Sequence, residues 1–439
     1  MNESARLRRR QVLTVALVVA GYSGYYLCRS NLSVAIPEII KELAARGWDP
    51  GRAKEALGAI VSMGILAYAI GKPFAGALAD FLGGRFNYFG GMLGAILMTA
   101  LFAMGGGMPI FATAWFGNRL LQSFGWGGII KITSRWFGFS TYGTVMGVIS
   151  LSYLFGDAAA RGFMGLLFAR GLSWRAVFMV DAAVLLLFFA INAWLLVEDP
   201  THLGFKEPDV NPDNVYGEGG QDAVPANLRS LLGPLLRRPA FWIVCLLSVG
   251  LTFLREAFNN WTPTYFVDSV GLSQAQATSA SALFPLVGGV SVILSGYLSD
   301  KLGRGGRSTI ILVGLCLAGS VLTTLGVVNF AGSTRWPIIL VTSVAFFLLG
   351  PYSYLAGAVS LDLGGKQGGA TASGLIDLAG YFGSIVAGWG IARASIIFGW
   401  RGVFLILAGI AWVSSVVAAI YYWEQHRRPA SGDVVEVNA

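Results

Sequence analysis

Apolar stretches of about twenty residues follow one another along most of this 439-residue chain, separated by short polar breaks. An apolar helix needs roughly 20 residues to cross the hydrocarbon of a bilayer. On that rule the pattern predicts spans near 11–36, 57–79, 87–106, 109–131, 143–169 and 176–197, then near 239–268, 276–299, 308–329, 336–360, 370–396 and 401–423. Between the two sets lies a polar stretch from Glu198-Asp-Pro to about Arg238-Pro239, holding Asn211-Pro-Asp-Asn and Gly217-Glu-Gly-Gly. The expected architecture is an all-α integral membrane protein with twelve transmembrane helices in two pseudo-symmetric six-helix bundles. Residues 1–197 form the first bundle, 198–238 a central cytoplasmic loop, 239–425 the second bundle and 426–439 a cytoplasmic tail.

The two sets repeat each other. Gly76-Ala-Leu-Ala-Asp80-Phe-Leu-Gly83 returns as Gly296-Tyr-Leu-Ser-Asp300-Lys-Leu-Gly303, and Trp174-Arg-Ala-Val-Phe178 as Trp400-Arg-Gly-Val-Phe404. Ile149-Ser-Leu-Ser-Tyr-Leu-Phe-Gly156 returns as Ile376-Asp-Leu-Ala-Gly-Tyr-Phe-Gly383. Blocks in one order at offsets of 220 to 227 residues point to a duplicated six-helix unit.

Composition agrees: 55% of residues are hydrophobic and 12% charged, against about 25% charged in soluble domains. The net charge of +8 does not indicate nucleic acid, because the basic residues cluster at span ends. With both termini inside, 16 of the 31 Lys and Arg fall in cytoplasmic segments and 9 outside, which sets the expected orientation in a cytoplasmic (inner) membrane. The basic start, through Arg6 and Arg8-Arg-Arg10, precedes an apolar stretch too long for a signal peptide and reads as a cytoplasmic cap on span 1.

Two arginines sit deep in apolar spans at matching places, Arg29 in span 1 and Arg255 in span 7, 226 residues apart. A guanidinium at mid-bilayer costs several kcal/mol (roughly 2.5–3.5 on insertion scales) unless it faces a polar cavity. Two such forks in symmetric places suggest one anionic ligand held between the halves. Lys72 in span 2 adds a third positive charge or acts as a field source. Tyr22, Tyr25 and Tyr26 precede Arg29 by seven, four and three residues, on its helical face. They bind the ligand or hold the guanidinium in place, or pack as ordinary aromatics. Asp377, Asp157 and Glu256 read as the carboxylates in or beside the membrane. Asp377 stands where the repeat has Ser150; it meets a polar or cationic part of the substrate, carries a coupled proton, or neutralises Lys131 or Arg161.

Other chemistries are missing. Cys28, Cys245 and Cys316 have no paired spacing, and His202 and His426 lie outside the spans. No phosphate-cradling Gly-x-x-x-x-Gly-Lys-Ser/Thr loop and no nucleophile–base pair is present, so neither an enzyme nor an ATP-driven pump is expected. No cofactor, metal or nucleic acid is expected either, and a monomer in the lipid bilayer is.

The Gly-x-Leu-x-Asp-x-x-Gly-x-[Arg/Lys] loop after span 2, Gly76 to Arg85, and its copy from Gly296 to Arg304–Arg307 resemble the signature of the major facilitator superfamily. That resemblance implies a latch at the cytoplasmic face made by Asp80, Arg85, Asp300 and Arg304. Narrower resemblance comes from Tyr25-Tyr-Leu-Cys-Arg29-Ser-Asn-Leu-Ser-Val-Ala-Ile-Pro37 and from Leu254-Arg255-Glu-Ala-Phe-Asn-Asn-Trp261-Thr-Pro-Thr-Tyr265. Ala67-Tyr-Ala-Ile-Gly-Lys72, Phe124-Gly-Trp126 and Leu378-Ala-Gly-Tyr381-Phe-Gly383 extend it. Together these resemble the organophosphate:phosphate antiporters, which exchange glycerol 3-phosphate or hexose phosphates for inorganic phosphate. The resemblance adds Trp136, Tyr153, Asn260 and Tyr381 to the expected substrate site.

The chain departs from the family where Ser30 and Asn260 replace a Lys and an Asp, where Trp126-Gly127-Gly128 replaces Trp-Pro-Pro, and where Tyr153 replaces a histidine. Arg119-Leu-Leu-Gln122-Ser-Phe-Gly125 resembles a span 4 motif of proton-coupled facilitators, which makes Arg119, Glu256 and Asp157 candidates for proton coupling. The implied function is a secondary transporter of a small organic phosphate or phosphonate, exchanged for phosphate by rocker-switch motion. The alternatives are a proton-coupled symporter of a carboxylate or sulfonate and a ligand-sensing transceptor.

Overall fold

The computed structural model describes residues 3–222, 224–272, 274–303, 305–330 and 332–427. Among these, helices carry nearly the whole chain, in the predicted order. Span 1 is Glu3–Tyr25 continued by Leu27–Ala45, span 2 Pro50–Leu82 and span 3 Gly84–Met104. Span 4 is Met108–Gln122 continued by Phe124–Trp136, span 5 Tyr142–Ala169 and span 6 Trp174–Leu195. The second half has span 7 at Pro239–Asp268, span 8 at Gln274–Ser281 with Leu283–Leu302, span 9 at Gly306–Val327 and span 10 at Arg335–Leu355. Ala358–Arg427 is a run of 70 residues interrupted by non-helical backbone at Gly365, Gly368 and Gly399. The positive φ of Gly365 (55°) and Gly399 (65°), open to glycine without strain, lets this run reverse twice and yield spans 11 and 12.

Length and composition alone pick out 10 membrane-crossing stretches among the described residues. Span 4, broken at Ser123 into pieces of 15 and 13 residues, is not among them because Asn118, Arg119, Gln122 and Lys131 lower its apolar character. The Ser123 hydroxyl donates back to the Leu120 carbonyl at 2.6 Å, a bond that bends helices. Spans 10 and 11 merge into one stretch because the segment between them, from Ala358, is itself helical.

Helix starts follow local chemistry. Asp49 accepts from the Arg52 N–H at 2.9 Å ahead of Pro50, and Ser173 accepts from Ala176 at 3.3 Å. The central loop forms a helix of its own, Leu228–Arg237, behind a reciprocal Asn227–Ser230 cap.

The two described ends of the chain, at Glu3 and Arg427, and the central loop lie on one side, here called the terminal face. Arg6 sits over Phe205 of the loop at 5.8 Å, the Glu198 carboxylate caps span 3 at Gly84 and Arg85, and the His426 ring lies beside Gly305.

The halves meet along two seams related by the repeat. Where span 2 crosses span 11, a Cβ on Gly76 would lie 2.4 Å from the Ala370 carbonyl oxygen. Where span 8 crosses span 5, a Cβ on Gly296 would lie 2.5 Å from the Gly143 oxygen. Backbones therefore touch at both crossings, which small residues alone allow. Asp80 reaches across the first seam to the start of span 11, accepting from the Thr371 N–H at 2.8 Å and hydroxyl at 2.7 Å. Asp300 reaches across the second to the start of span 5, accepting from Gly143 at 3.0 Å and Thr144 at 2.6 Å. Each carboxylate thus caps a helix of the opposite half.

Gly296→Val should hold this face apart. Overpacking of about 1–3 kcal/mol shifts a two-state equilibrium by roughly 5- to 150-fold. The readout is faster labelling of a cysteine introduced at Ser299, buried at this seam beside Gly143, and an unchanged labelling rate would count against the seam as a moving contact.

Candidate functional site

A cavity of about 140 Å³ lies between the halves, with walls from spans 1, 2, 4, 5, 7, 10 and 11. Arg29 from one half and Arg255 from the other both line it, with Lys72, Asp377, Tyr22, Tyr26, Tyr153 and Tyr381. Far apart in sequence, eight expected site residues line this one cavity.

The two arginines are held differently. Arg29 stacks on Tyr68 at 4.3 Å and on Tyr26 at 5.1 Å, contacts that steady a guanidinium while leaving its fork free for an anion. Arg255 donates to the adjacent Glu256 carboxylate and, at 2.8 Å, to the Tyr352 hydroxyl. Lys72 Nζ lies 2.6 Å from Asp377 Oδ2, an ion pair across the first seam. Asp377 therefore neutralises Lys72, and neither Lys131 nor Arg161: Lys131 pairs with Asp80 at 3.4 Å and Arg161 with Asp157 at 3.0 Å. Repeat geometry sharpens this. Lys72 corresponds to Val292 and Asp377 to Ser150, so the second seam has neutral, buried groups where the first has an ion pair.

Some expected residues lie elsewhere. Trp136 is buried at the terminal-face end of span 4 and donates to the Val197 carbonyl at 2.8 Å, away from the cavity. Trp136→Phe should cost about 1 kcal/mol of stability through that bond and leave ligand preference as it is, measured by thermal unfolding with and without ligand. Asn260 is exposed and outside the cavity wall, because five residues past Arg255 the helix has turned it away. Asp157 binds Ser30 and Arg161 behind the wall, so the neutral Ser30 is tied to a carboxylate on span 5. Arg85 does not meet Asp80; it donates to the Ala193 carbonyl and packs on Phe89, while Lys131 is the cation beside Asp80. Arg304 lies outside the described residues, and Arg307 pairs with Asp300 at 3.0 Å and Asp362 at 2.6 Å.

Nine lining residues lie outside the expected set, Tyr68, Ser248, Thr252 and Tyr352 among them. Tyr68 stands between three cations, Arg29, Arg119 at 4.9 Å and Lys72 at 5.0 Å from its ring. Its position one turn before Lys72 was the available signal. Ser248 and Thr252 precede Arg255 by seven and three residues, on its face of span 7. Tyr352 follows Trp126 by 226 residues, the repeat offset. Span 6 adds a carboxylate to the three expected in or beside the membrane. Asp181 in span 6 is fully buried, and neither of its oxygens has a hydrogen-bond partner among the described residues. Nor has Nη1 of Arg119.

Residues 18–388 match the sequence profile of the Major Facilitator Superfamily. The chain belongs to this superfamily. It is a non-enzymatic, multi-pass membrane transporter, and it resembles the organophosphate:phosphate antiporters in particular. It is 26% identical over 404 residues to a probable hexose phosphate transport protein of Chlamydia pneumoniae, covering 89% of this chain and 86% of that one. It is 25% identical over 430 residues to the glycerol-3-phosphate transporter of Bacillus subtilis, covering 95% and 92%. A membrane sensor protein of Escherichia coli, UhpC, is 24% identical over 430 residues, covering 96% and 94%. Among solved structures, the E. coli fucose:proton symporter superposes with a TM-score of 0.70 at 15% identity, over 94% of this chain and 99% of that chain, a likeness of fold.

Proposed function

We propose that this transporter carries a small organic phosphate or phosphonate across the cytoplasmic membrane in exchange for inorganic phosphate, by rocker-switch alternating access. The observation that carries this reading is one cavity lined by an arginine from each half, Arg29 and Arg255. A phosphoryl dianion accepts from two forks at once, so it links the halves as one carboxylate hydrogen bond does not. The relatives' hexose phosphate and glycerol-3-phosphate names support the same class. The terminal face is cytoplasmic on this reading, in agreement with its share of Lys and Arg.

The Lys72–Asp377 pair supplies a tie. While it holds, spans 2 and 11 stay together at the first seam and the terminal face stays shut. An arriving anion attracts Lys72, loosens the pair and lets the halves rock, so movement follows ligand. Counterflow tests the proposal: proteoliposomes loaded with phosphate should take up labelled glycerol 3-phosphate or hexose phosphate against no net gradient, and a protonophore should leave that exchange intact. Accumulation abolished by the protonophore would favour proton symport of an organic acid instead. One observation speaks for that second reading, the buried and unpartnered polar atoms of Asp181 and Arg119, since ionisable groups inside the membrane are where coupled protons are carried.

A further inference from the structure

The first turns of span 1 carry Arg6, Arg9 and Arg10, spaced so that they share one helix face. Leu13 and Ala16 continue that face towards the bilayer, with Val12 beside them, 64% exposed. Leu203 and Phe205 of the central loop form the opposite wall, leaving a groove of about 660 Å³ at the terminal face. Its mouth is cationic and its walls are apolar. Among the described residues no carboxylate lines it, and beyond the Arg6–Phe205 ring contact none of the three arginines has a hydrogen bond or ion pair. Other cations of this face are engaged: Arg135 by Asp199 and Glu207, Lys366 by Glu207 at 2.6 Å, Arg307 by Asp300 and Asp362.

We propose that this groove binds an anionic phospholipid of the leaflet at the terminal face. The lipid phosphate sits among the three guanidiniums, and an acyl chain runs along Val12, Leu13, Ala16 and Leu203. Free phosphate would use the charges alone and has no use for the apolar walls; a zwitterionic lipid brings its own ammonium against the arginines. Clustered basic side chains next to a span are the chemistry that holds anionic headgroups.

The site also has a structural consequence. Phe205 lies two residues before Glu207, whose carboxylate joins Arg135 of the first half to Lys366 of the second. The same short segment is anchored by Asp199. Burial would raise that carboxyl, but bonds from the Thr201 hydroxyl and N–H and the charges of Arg135 and His202 prevail and hold it below its ordinary value. A lipid packed against Leu203 and Phe205 steadies the strap that joins the halves, so leaflet charge bears on the closed state of this face.

The test uses the full-length protein in detergent, with phosphatidylglycerol or phosphatidylcholine added and bound lipid counted by native mass spectrometry. Wild type should retain phosphatidylglycerol selectively. The Arg6→Gln/Arg9→Gln/Arg10→Gln protein should bind it about 100-fold more weakly, at roughly tenfold per 1.4 kcal/mol and about 1 kcal/mol for each basic side chain. The triple Arg→Lys protein should keep it, since charge is the attraction. Val12→Glu leaves every arginine in place and sets a carboxylate along the acyl path, so it too should weaken retention. Should the glutamine variant fail to insert, Val12→Glu decides alone. Equal retention of phosphatidylglycerol by wild type and by the variant that inserts would overturn the site. So would displacement of the bound lipid by soluble glycerol phosphate at matched concentration, which would assign the arginines to a free anion. None of these readouts depends on the transported substrate.

Discussion

Arg29→Lys protein is expected to lose exchange almost completely while keeping its fold. Arg29 lacks a carboxylate partner among the described residues and is steadied by Tyr68 and Tyr26 ring faces, so its fork is available to a ligand. Lysine keeps the charge but offers a single ammonium, which cannot make two parallel bonds to a phosphoryl group. One lost charge-assisted bond is worth about 1.5–3 kcal/mol, or roughly 10- to 100-fold in affinity. The counterflow rate should fall further, because a singly held anion no longer draws the halves together. Arg255→Lys should behave similarly, with a milder loss, since Glu256 already takes part of that guanidinium's bonding. Thermal unfolding of the ligand-free variants within a few degrees of wild type would confirm that the fold is intact. Phosphate–organophosphate counterflow at the wild-type rate by Arg29→Lys would end the proposed role of the two arginines.

The second large effect is expected at Asp377. Its carboxylate is about 20% exposed on the cavity side, and Lys72 is 6% exposed, so the pair lies between a surface bridge and a buried one. Exposed pairs contribute about 0–1 kcal/mol, and breaking buried ones costs about 3–5. An intermediate value of about 2 kcal/mol corresponds to a roughly 30-fold shift between states. Asp377→Asn removes the tie of the first seam and makes it resemble the second, where Ser150 and Val292 cannot pair. The empty carrier should then return more readily, and efflux into anion-free medium should rise about 30-fold towards the exchange rate. Exchange itself should persist, since both arginines remain. Charge reversal separates the tie from simple neutralisation. Lys72→Asp/Asp377→Lys restores the pair and should restore low efflux, yet it places an acid where the anion enters and should exchange poorly. An unchanged ratio of efflux to exchange in Asp377→Asn, at normal expression, would remove the tie from the mechanism.

Twelve spans, the duplicated halves and the two arginines could be read along the chain, because each is a local or periodic signal. Hydrocarbon thickness sets span length, a repeat shows itself as equal offsets, and a guanidinium in an apolar run stands out against its neighbours. The matching places of Asp80 and Asp300 were legible for the same reason, as one motif written twice; the helices of the opposite half that they cap were not. Partner choice was not. Lys131 and Arg161 looked as if they needed Asp377, yet the nearest acids in space are Asp80 and Asp157, brought in by helix crossings that span spacing does not encode. Trp136 and Asn260 carried a family likeness, but the cavity depends on helix rotation, which turns one into the bundle end and the other outward. Tyr68, Ser248, Thr252 and Tyr352 became site residues only when seven helices converged on one volume. Asp181 was a visible charge in span 6, and only burial without a partner made it notable. Charges and periodicities belong to the chain itself. Pairings, and with them the asymmetry between the two seams, arise from the angle and rotation at which packed helices meet, a property of the whole assembly of spans.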